Sequence, residues 1–262
     1  MGLYQTSRDF ITHRFSSKTR HGVHSPFVYT LIDQCIYASQ PKPSKEVIAF
    51  FERLKQNTTS LKGMDYGKNE ETSVAVAAYA KRSAMPNFQV ALLHRLVHYL
   101  KPKSVLELGS NLGKSLAVMA AVNPSNVAIG VEGNASVAAF ANENLSTLKL
   151  NNAKVECHAF DAFLENDKQL FDLIFLDGDH HYEPTMRYFN VIKQRLNDGG
   201  VIVLHDLYYS EGMNRAWAEI KKDRSVTITI DLFFFGLVWM GKNQAKENFS
   251  IKFPSSLFSV FF

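Results

Sequence analysis

From about residue 104 onward, short β-branched apolar runs alternate with longer stretches whose apolar residues recur at helical spacing. That is the pattern of a parallel sheet wrapped by crossover helices. Five runs predict parallel strands: 104–109 (SVLELG), 126–132 (NVAIGVE), 153–161 (AKVECHAFD), 171–177 (FDLIFLD) and 200–206 (GVIVLHD). Four of them end in a carboxylate: Glu132, Asp161, Asp177 and Asp206. The stretches 113–122, 135–149, 162–168 and 183–196 predict the helices between them. A further helix over 212–222 leads to two apolar runs, 226–232 and 235–241, with too short a connection for a parallel crossover. These two predict an antiparallel hairpin, so the expected architecture is an α/β, doubly wound, mostly parallel sheet that finishes antiparallel.

Residues 1–103 follow a different pattern, with four helical stretches expected near 26–37, 44–56, 70–82 and 87–100. Pro41, Pro43 and the polar run 57–62 punctuate them. Ahead of a doubly wound core, such an appendage is expected to cover the open end of the sheet, where ligands bind. The expected division is an N-terminal helical segment, 1–85, shaping an acceptor pocket, and a cofactor-binding domain, 86–262. The apolar ending SSLFSVFF is expected to dock on the body or on a partner.

Composition narrows the class. The chain of 262 residues is 46% apolar and 21% charged, the balance of a globular protein with a sizeable core. No apolar run approaches the roughly 20 residues of a membrane helix, and the N-terminus lacks a signal-peptide core. No membrane association and a cytoplasmic location are therefore expected. Cys35 and Cys157 are too far apart in sequence and too unlike in context to suggest a disulfide framework, and buried thiols are expected. The net charge of +4 gathers partly at Arg8, Arg14, Lys18 and Arg20, without the interleaved aromatics of a nucleic-acid stripe. A solvated basic surface is expected there.

The candidate chemistry begins with VLELGSNLGKS, 105–115, a strand running through a glycine turn into a helix. Gly109 lets the chain turn, and Gly113 lets the helix start close to a ligand. The spacing is E-x-G-x-x-x-G, with Asn111 where a dinucleotide fingerprint places the glycine that admits pyrophosphate. Glu107 would repel phosphate and suits a cationic ligand. Glu132 ends the next strand, where an acid can accept hydrogen bonds from both ribose hydroxyls of a nucleotide or a related nucleoside. Asp161, with the backbone of Ala162, is placed to meet an adenine edge, or else Asp161 caps the following helix. The run FDLIFLDGDHHYE gathers Asp177, Asp179, His180 and His181 at the end of a buried strand, a charge density hard to explain by packing.

With GVEGN around Glu132, FDLIFLDGDHHYE and DGGVIVLHD, the glycine turn resembles class I S-adenosylmethionine-dependent methyltransferases, and among them the small-molecule, catechol-type O-methyltransferases. The resemblance covers about residues 86–242. It implies a Rossmann-like, seven-stranded sheet and S-adenosyl-L-methionine as cofactor. The implied cofactor contacts are Glu107, Gly109, Ser110, Gly113 and Asp177, with Glu132 at the ribose and Asp161 and Ala162 near the adenine. In metal-dependent relatives, carboxylates at the positions of Asp177 and Asp206 hold a divalent cation, with an Asn directly after the second. Here that position is Leu207, which puts the metal in doubt, with His205 and Asp179 as candidate replacements. The catalytic base of catechol-type relatives falls at His180, and His181 is its rival. HGVHSPFVYTLI is similar to uncharacterised bacterial members and implies no acceptor.

The expected function is O-methylation of a small hydroxylated acceptor by a base-assisted displacement, with a homodimer left open. A nicotinamide dehydrogenase would explain Glu132 but not Asn111. A nucleic-acid methyltransferase would explain the basic N-terminus, yet no binding module is visible. A catalytically idle nucleoside-binding scaffold is the third alternative, because fold alone does not decide activity. The other histidines are expected to be bland: His13, His21 and His24 in the basic segment, His94 and His98 on a solvated helix face, and His158 within a strand. Phe233–Phe235 and Trp239 are expected in the core.

Overall fold

The computed structural model describes residues 3–65, 70–82, 85–241 and 245–254, so the apolar ending 255–262 lies outside the described residues. The chain divides into two compact units: residues 39–168, and residues 1–38 together with 169–260. The second unit opens with α1 (Leu3–Ser16) and α2 (Pro26–Leu31), the latter running on as a π-helical turn, Ile32–Ile36.

Within residues 39–168 come α3 (Lys45–Leu54), β1 (Ser60–Asp65), β2 (Glu70–Ala75), α4 (Val76–Arg82) and α5 (Asn87–Leu100). They are followed by β3 (Ser104–Leu108), α6 (Lys114–Ala120), β4 (Val127–Glu132), α7 (Ala135–Thr147), β5 (Ala153–Cys157) and α8 (Phe160–Asn166). The parallel ladder β3-β4-β5 runs in register from Ser104 against Val127 to Glu132 against Cys157. Its interior is apolar and dry: Val105, Leu106, Leu108, Ala128 and Val131 have no solvent exposure.

The other unit continues with β6 (Phe171–Leu176), α9 (Tyr182–Ile192), β7 (Leu196–His205), α10 (Glu211–Ile220), β8 (Val226–Asp231), β9 (Phe235–Met240) and β10 (Glu247–Ser250). The strand order there is β10-β8-β9-β7-β6, with β9 antiparallel to β7 and β8 and the other pairs parallel. In both units the strands pair mostly in parallel, as expected, and the hairpin 226–240 is present. Phe234, Phe235 and Trp239 are buried.

The structure changes the expected N-terminal half. The polar run near 57–62 and the start of the expected helix 70–82 pair as an antiparallel hairpin, Ser60 opposite Ala75 through Asp65 opposite Glu70. Thr72 and Val74 are β-branched and favour a ladder, so the helix begins only at Val76. An eighth strand, β10, was not expected; it is only four residues long and lies beside β8 at the sheet edge. Helix α1 was not expected either, since its apolar residues lack a clean stripe. The expected strand 153–161 stops at Cys157, because its single neighbour β4 stops at Glu132 and leaves nothing further to pair with. His158 is therefore past the strand, and Cys157 is exposed rather than buried.

Two histidines expected at solvated positions are buried. His94 lies on α5, whose residues 89–97 are all buried, and burial pushes its pKa down to about 4. His13 of α1 reaches Asp231 at the end of β8, Nε2 to Oδ1 2.9 Å. Asp231 also accepts from Trp217 Nε1 (2.7 Å), Tyr208 OH (2.8 Å) and the Phe233 backbone N–H (2.9 Å). Burial alone would raise the Asp231 pKa, but these donors and His13 hold it below the usual carboxylate range. Around them, Tyr208 stacks on Phe233 at 4.7 Å between ring centroids, with His13 edge-on to both.

Removing the acceptor of four donors strands each of them in a buried site. Asp231→Ala is therefore expected to destabilise the protein by about 3–5 kcal/mol in urea unfolding. A loss below about 1 kcal/mol, the scale of an exposed pair, would show that this anchor is not structural. Because the folded pKa is depressed, the contribution of Asp231 is present above the ordinary carboxylate value and disappears as pH falls through the folded one.

Candidate functional site

Two clusters carry the candidate residues, one in each unit. In residues 39–168 the glycine turn follows β3. Gly109 has φ 101° and Gly113 φ 84°, conformations that disfavour any side chain. The Gly109 and Ser110 N–H groups donate to the Val131 carbonyl at 3.0 and 3.2 Å, and the Gly113 N–H donates to the Ser110 carbonyl at 2.7 Å. Asn111 is also left-handed, φ 47°, a conformation that asparagine adopts more readily than most non-glycine residues.

That conformation aims the Asn111 N–H at Glu132 Oε2, 3.0 Å away, while the Asn134 N–H donates to Oε1 at 2.9 Å. Two backbone donors thus hold the Glu132 carboxylate. An ionised carboxylate has about four acceptor sites, so this clamp orients it without exhausting it. Asn134 in turn caps α7 through Oδ1, accepting from the N–H groups of Ser136 and Val137 at 3.1 and 3.2 Å.

Glu107 is fully buried on β3, on the strand that feeds the turn. Ser110 Oγ is buried and lacks a hydrogen-bond partner. It sits in the space where a side chain on Gly130 would stand, and a Cβ there would also meet Leu116 Cδ2 at 2.8 Å. Gly130 was not singled out in the sequence, although the motif GVEGN contains it. Asp161 is exposed in the first turn of α8, two residues past the N-cap position, which Ala159 occupies. It neither ends a strand nor caps the helix. Ala162 follows within the same first turn, where backbone N–H groups have no intrahelical acceptor.

In the other unit, the ends of β6 and β7 bring together Asp177, His180, His205 and Asp206. His205 Nδ1 is 2.8 Å from Asp177 Oδ1, and its Nε2 is 3.5 Å from Asp206 Oδ1. Burial opposes the charge on His205, yet Asp177 and then Asp206 raise its pKa to about 9. Burial likewise pushes Asp177 upward, and the His205 cation outweighs it, leaving Asp177 below the usual range. The pair is a buried imidazolium against a half-buried carboxylate.

His180 Nε2 stands 3.9 Å from both Asp177 Oδ1 and Asp206 Oδ2. That is ion-pair range but too long for a hydrogen bond. Its ring lies 5.1 Å from the ring of Tyr209, centroid to centroid, and its carbonyl accepts from Ser210 Oγ at 2.6 Å. His181 differs sharply: its side chain is 83% exposed, it bonds Asp179 at 2.7 Å, and it occupies the N-cap position of α9. Geometry therefore separates the two histidines, with His180 alone facing the paired carboxylates. Leu207, after Asp206, is fully buried. Among the described residues, no three His, Cys, Asp or Glu side chains are grouped as a metal ion requires. No helix among them is long and apolar enough to cross a membrane.

Residues 106–207 match a family model described as a methyltransferase domain. An uncharacterized protein of Acanthamoeba polyphaga mimivirus is 28% identical over 110 residues, 38% of this chain and 50% of that protein, so the chain spans half the length of this curated relative. Among solved structures, the Podospora anserina methyltransferase PaMTH1 bound to S-adenosylhomocysteine is similar, with a TM-score of 0.60 and 12% identity, covering 92% of this chain and 97% of that one. An O-methyltransferase from Bacillus cereus in complex with S-adenosylhomocysteine gives a TM-score of 0.56 at 20% identity, covering 80% and 94%. TomG of Streptomyces achromogenes, an O-methyltransferase involved in tomaymycin synthesis, solved with S-adenosylmethionine, gives 0.53 at 18% identity, covering 63% and 87%. At these identities the likeness is one of fold. The chain shares the fold of these methyltransferases, and the family-model match is confined to residues 106–207.

Proposed function

We propose that the chain is an O-methyltransferase that uses S-adenosylmethionine and acts on a small hydroxylated acceptor. The observation that carries this reading is the Glu132 carboxylate, clamped by two backbone N–H groups beside a turn stripped of side chains at Gly109 and Gly113. The residues fit a nucleoside with a positively charged tail better than a dinucleotide. The buried Glu107 repels pyrophosphate, and the buried Ser110 Oγ has bonding capacity to give. When bound, S-adenosylmethionine supplies a methyl group on a positively charged sulfur.

In this reading Glu132 accepts from the ribose hydroxyls, while Asp161 and the Ala162 N–H face the adenine. Glu107 holds the ammonium end. His180 takes the acceptor's hydroxyl proton on Nε2, and Asp177 and Asp206, each 3.9 Å from that atom, stabilise the imidazolium that results. Residues 1–85 shape the acceptor side, a role supported by the seating of α1 on Asp231 at the end of β8 and on Phe233 just beyond it.

A hard divalent cation does not fit the Asp177 and Asp206 pair. One Asp177 oxygen is engaged by His205, and the position of the third ligand holds a buried leucine. No step is therefore assigned to a metal, and transfer is expected to survive chelation with EDTA. The two free thiols, Cys35 and Cys157, fit a reducing compartment such as the cytoplasm. Exposed Ile11 and Phe15 on α1 offer an apolar face to a second copy.

Incubation with methyl-labelled S-adenosylmethionine and a panel of phenols, sugars and hydroxylated lipids is expected to label a hydroxyl oxygen. With the acceptor in hand, His180→Gln is expected to lower kcat by about 10² to 10⁴ while S-adenosylhomocysteine affinity stays unchanged. Turnover at the wild-type rate would remove His180 from the mechanism. Glu132→Ala is expected to weaken S-adenosylhomocysteine binding by about 1–3 kcal/mol, the scale of hydroxyls left without a partner in a closed site.

The state of His205 can be read separately by imidazole NMR, which is expected to show a ring that stays protonated at neutral pH and titrates near 9. Its folded pKa is raised, so the pair's stabilisation is full below the ordinary histidine value and fades as pH rises through about 9. Titration of His205 at the ordinary histidine value would show that its contact with Asp177 is not formed.

A further inference from the structure

Asn134 has one polar atom left over after its structural work. Its N–H donates to Glu132 and its Oδ1 caps α7, accepting also from Ser136 Oγ at 2.9 Å. Its Nδ2 is buried and has no hydrogen-bond partner, in a residue only 6% exposed. A buried amide donor without an acceptor is a destabilising feature that most proteins avoid.

The backbone lying over this side chain is Gly63, in the middle of β1. A Cβ at Gly63 would fall 2.8 Å from both Cγ and Nδ2 of Asn134, and closer still to Oδ1. Gly63 is not among the residues with positive φ, so it is the contact and not the backbone conformation that demands glycine. Gly63 pairs with Thr72, so β2 is carried with β1. The hairpin is thereby seated on the residue two positions after Glu132, against the N-terminus of α7.

We propose that the β1–β2 hairpin is the cover over the nucleoside end of the cofactor, seated through Gly63 on Asn134, whose Nδ2 donates to the ribose that Glu132 binds. This rests on Glu132 as the ribose acid. Ribose hydroxyls both donate and accept, so in this proposal Glu132 serves as their acceptor and Asn134 Nδ2 as their donor. The hairpin keeps water from competing for these bonds.

The test combines calorimetry with S-adenosylhomocysteine and amide hydrogen exchange on the full chain. In the wild type, ligand is expected to slow exchange in β1 and β2. Gly63→Ala is expected to weaken binding by about tenfold and to speed β1 exchange even without ligand. Asn134→Ser keeps a helix cap but deletes the donor and shortens the side chain. Alone it is expected to weaken binding several-fold without loosening β1. Combined with Gly63→Ala it is expected to return β1 exchange to the wild-type rate, a rescue that general instability would not show.

If the wild type does not bind S-adenosylhomocysteine, the cofactor reading and the cover both fail. If it binds, and Gly63→Ala and Asn134→Ser bind equally well with no ligand-dependent protection of the hairpin, the cover alone is wrong.

Discussion

The carboxylate of Glu132, held at 3.0 and 2.9 Å by the N–H groups of Asn111 and Asn134, is the constraint on which the candidate cofactor site depends. To donate from Asn111, the chain must be left-handed there, which places Gly109 and Gly113 on either side of a tight turn. The turn fits against β4 only because Gly130 leaves room for Ser110 and Leu116. To donate from Asn134, the chain must start a helix at once, and the Asn134 side chain caps it. A single acid at a strand end thus determines two turns and two helix starts. Preorganisation of this kind lets a ligand find its partner already oriented, at little further loss of side-chain entropy.

The other unit solves a different electrostatic problem. Four ionisable groups stand at the ends of β6 and β7, and the burial of His205 is offset because its cation lies between two carboxylates. That leaves His180 flanked by two carboxylates at ion-pair distance. Further along the same sheet, Asp231 gathers His13, Tyr208, Trp217 and a backbone N–H, and fastens α1 to the body.

Much of this could be read from the chain. Strand positions from Ser104 onward follow from dense β-branched runs between glycines, and Glu107, Glu132, Asp177 and Asp206 stand out because charge at a buried strand end needs a reason. What could not be read depended on contacts between distant segments. His205 was visible only as a candidate metal ligand, because its pairing with Asp177 comes from the register that sets Leu176 beside Leu204 one residue earlier. The hairpin β1–β2 was hidden by its neighbours: Val76–Arg82 is a strong helical run, and it masked the β-branched Thr72 and Val74 just ahead of it. His13 and His94 appeared solvated because burial by a tertiary neighbour leaves no mark on local sequence. Asp161 was placed at a strand end because periodicity cannot show where the partner strand runs out.

In the proposed reading, the turn around Glu132 recognises a nucleoside with a cationic or thioether tail and not a dinucleotide. Calorimetry of the purified chain against S-adenosylhomocysteine and, separately, against oxidised and reduced nicotinamide dinucleotides tests it most directly. Saturable one-to-one binding of S-adenosylhomocysteine is expected, with no measurable heat from either nicotinamide nucleotide. Tighter binding of NAD than of S-adenosylhomocysteine would contradict it.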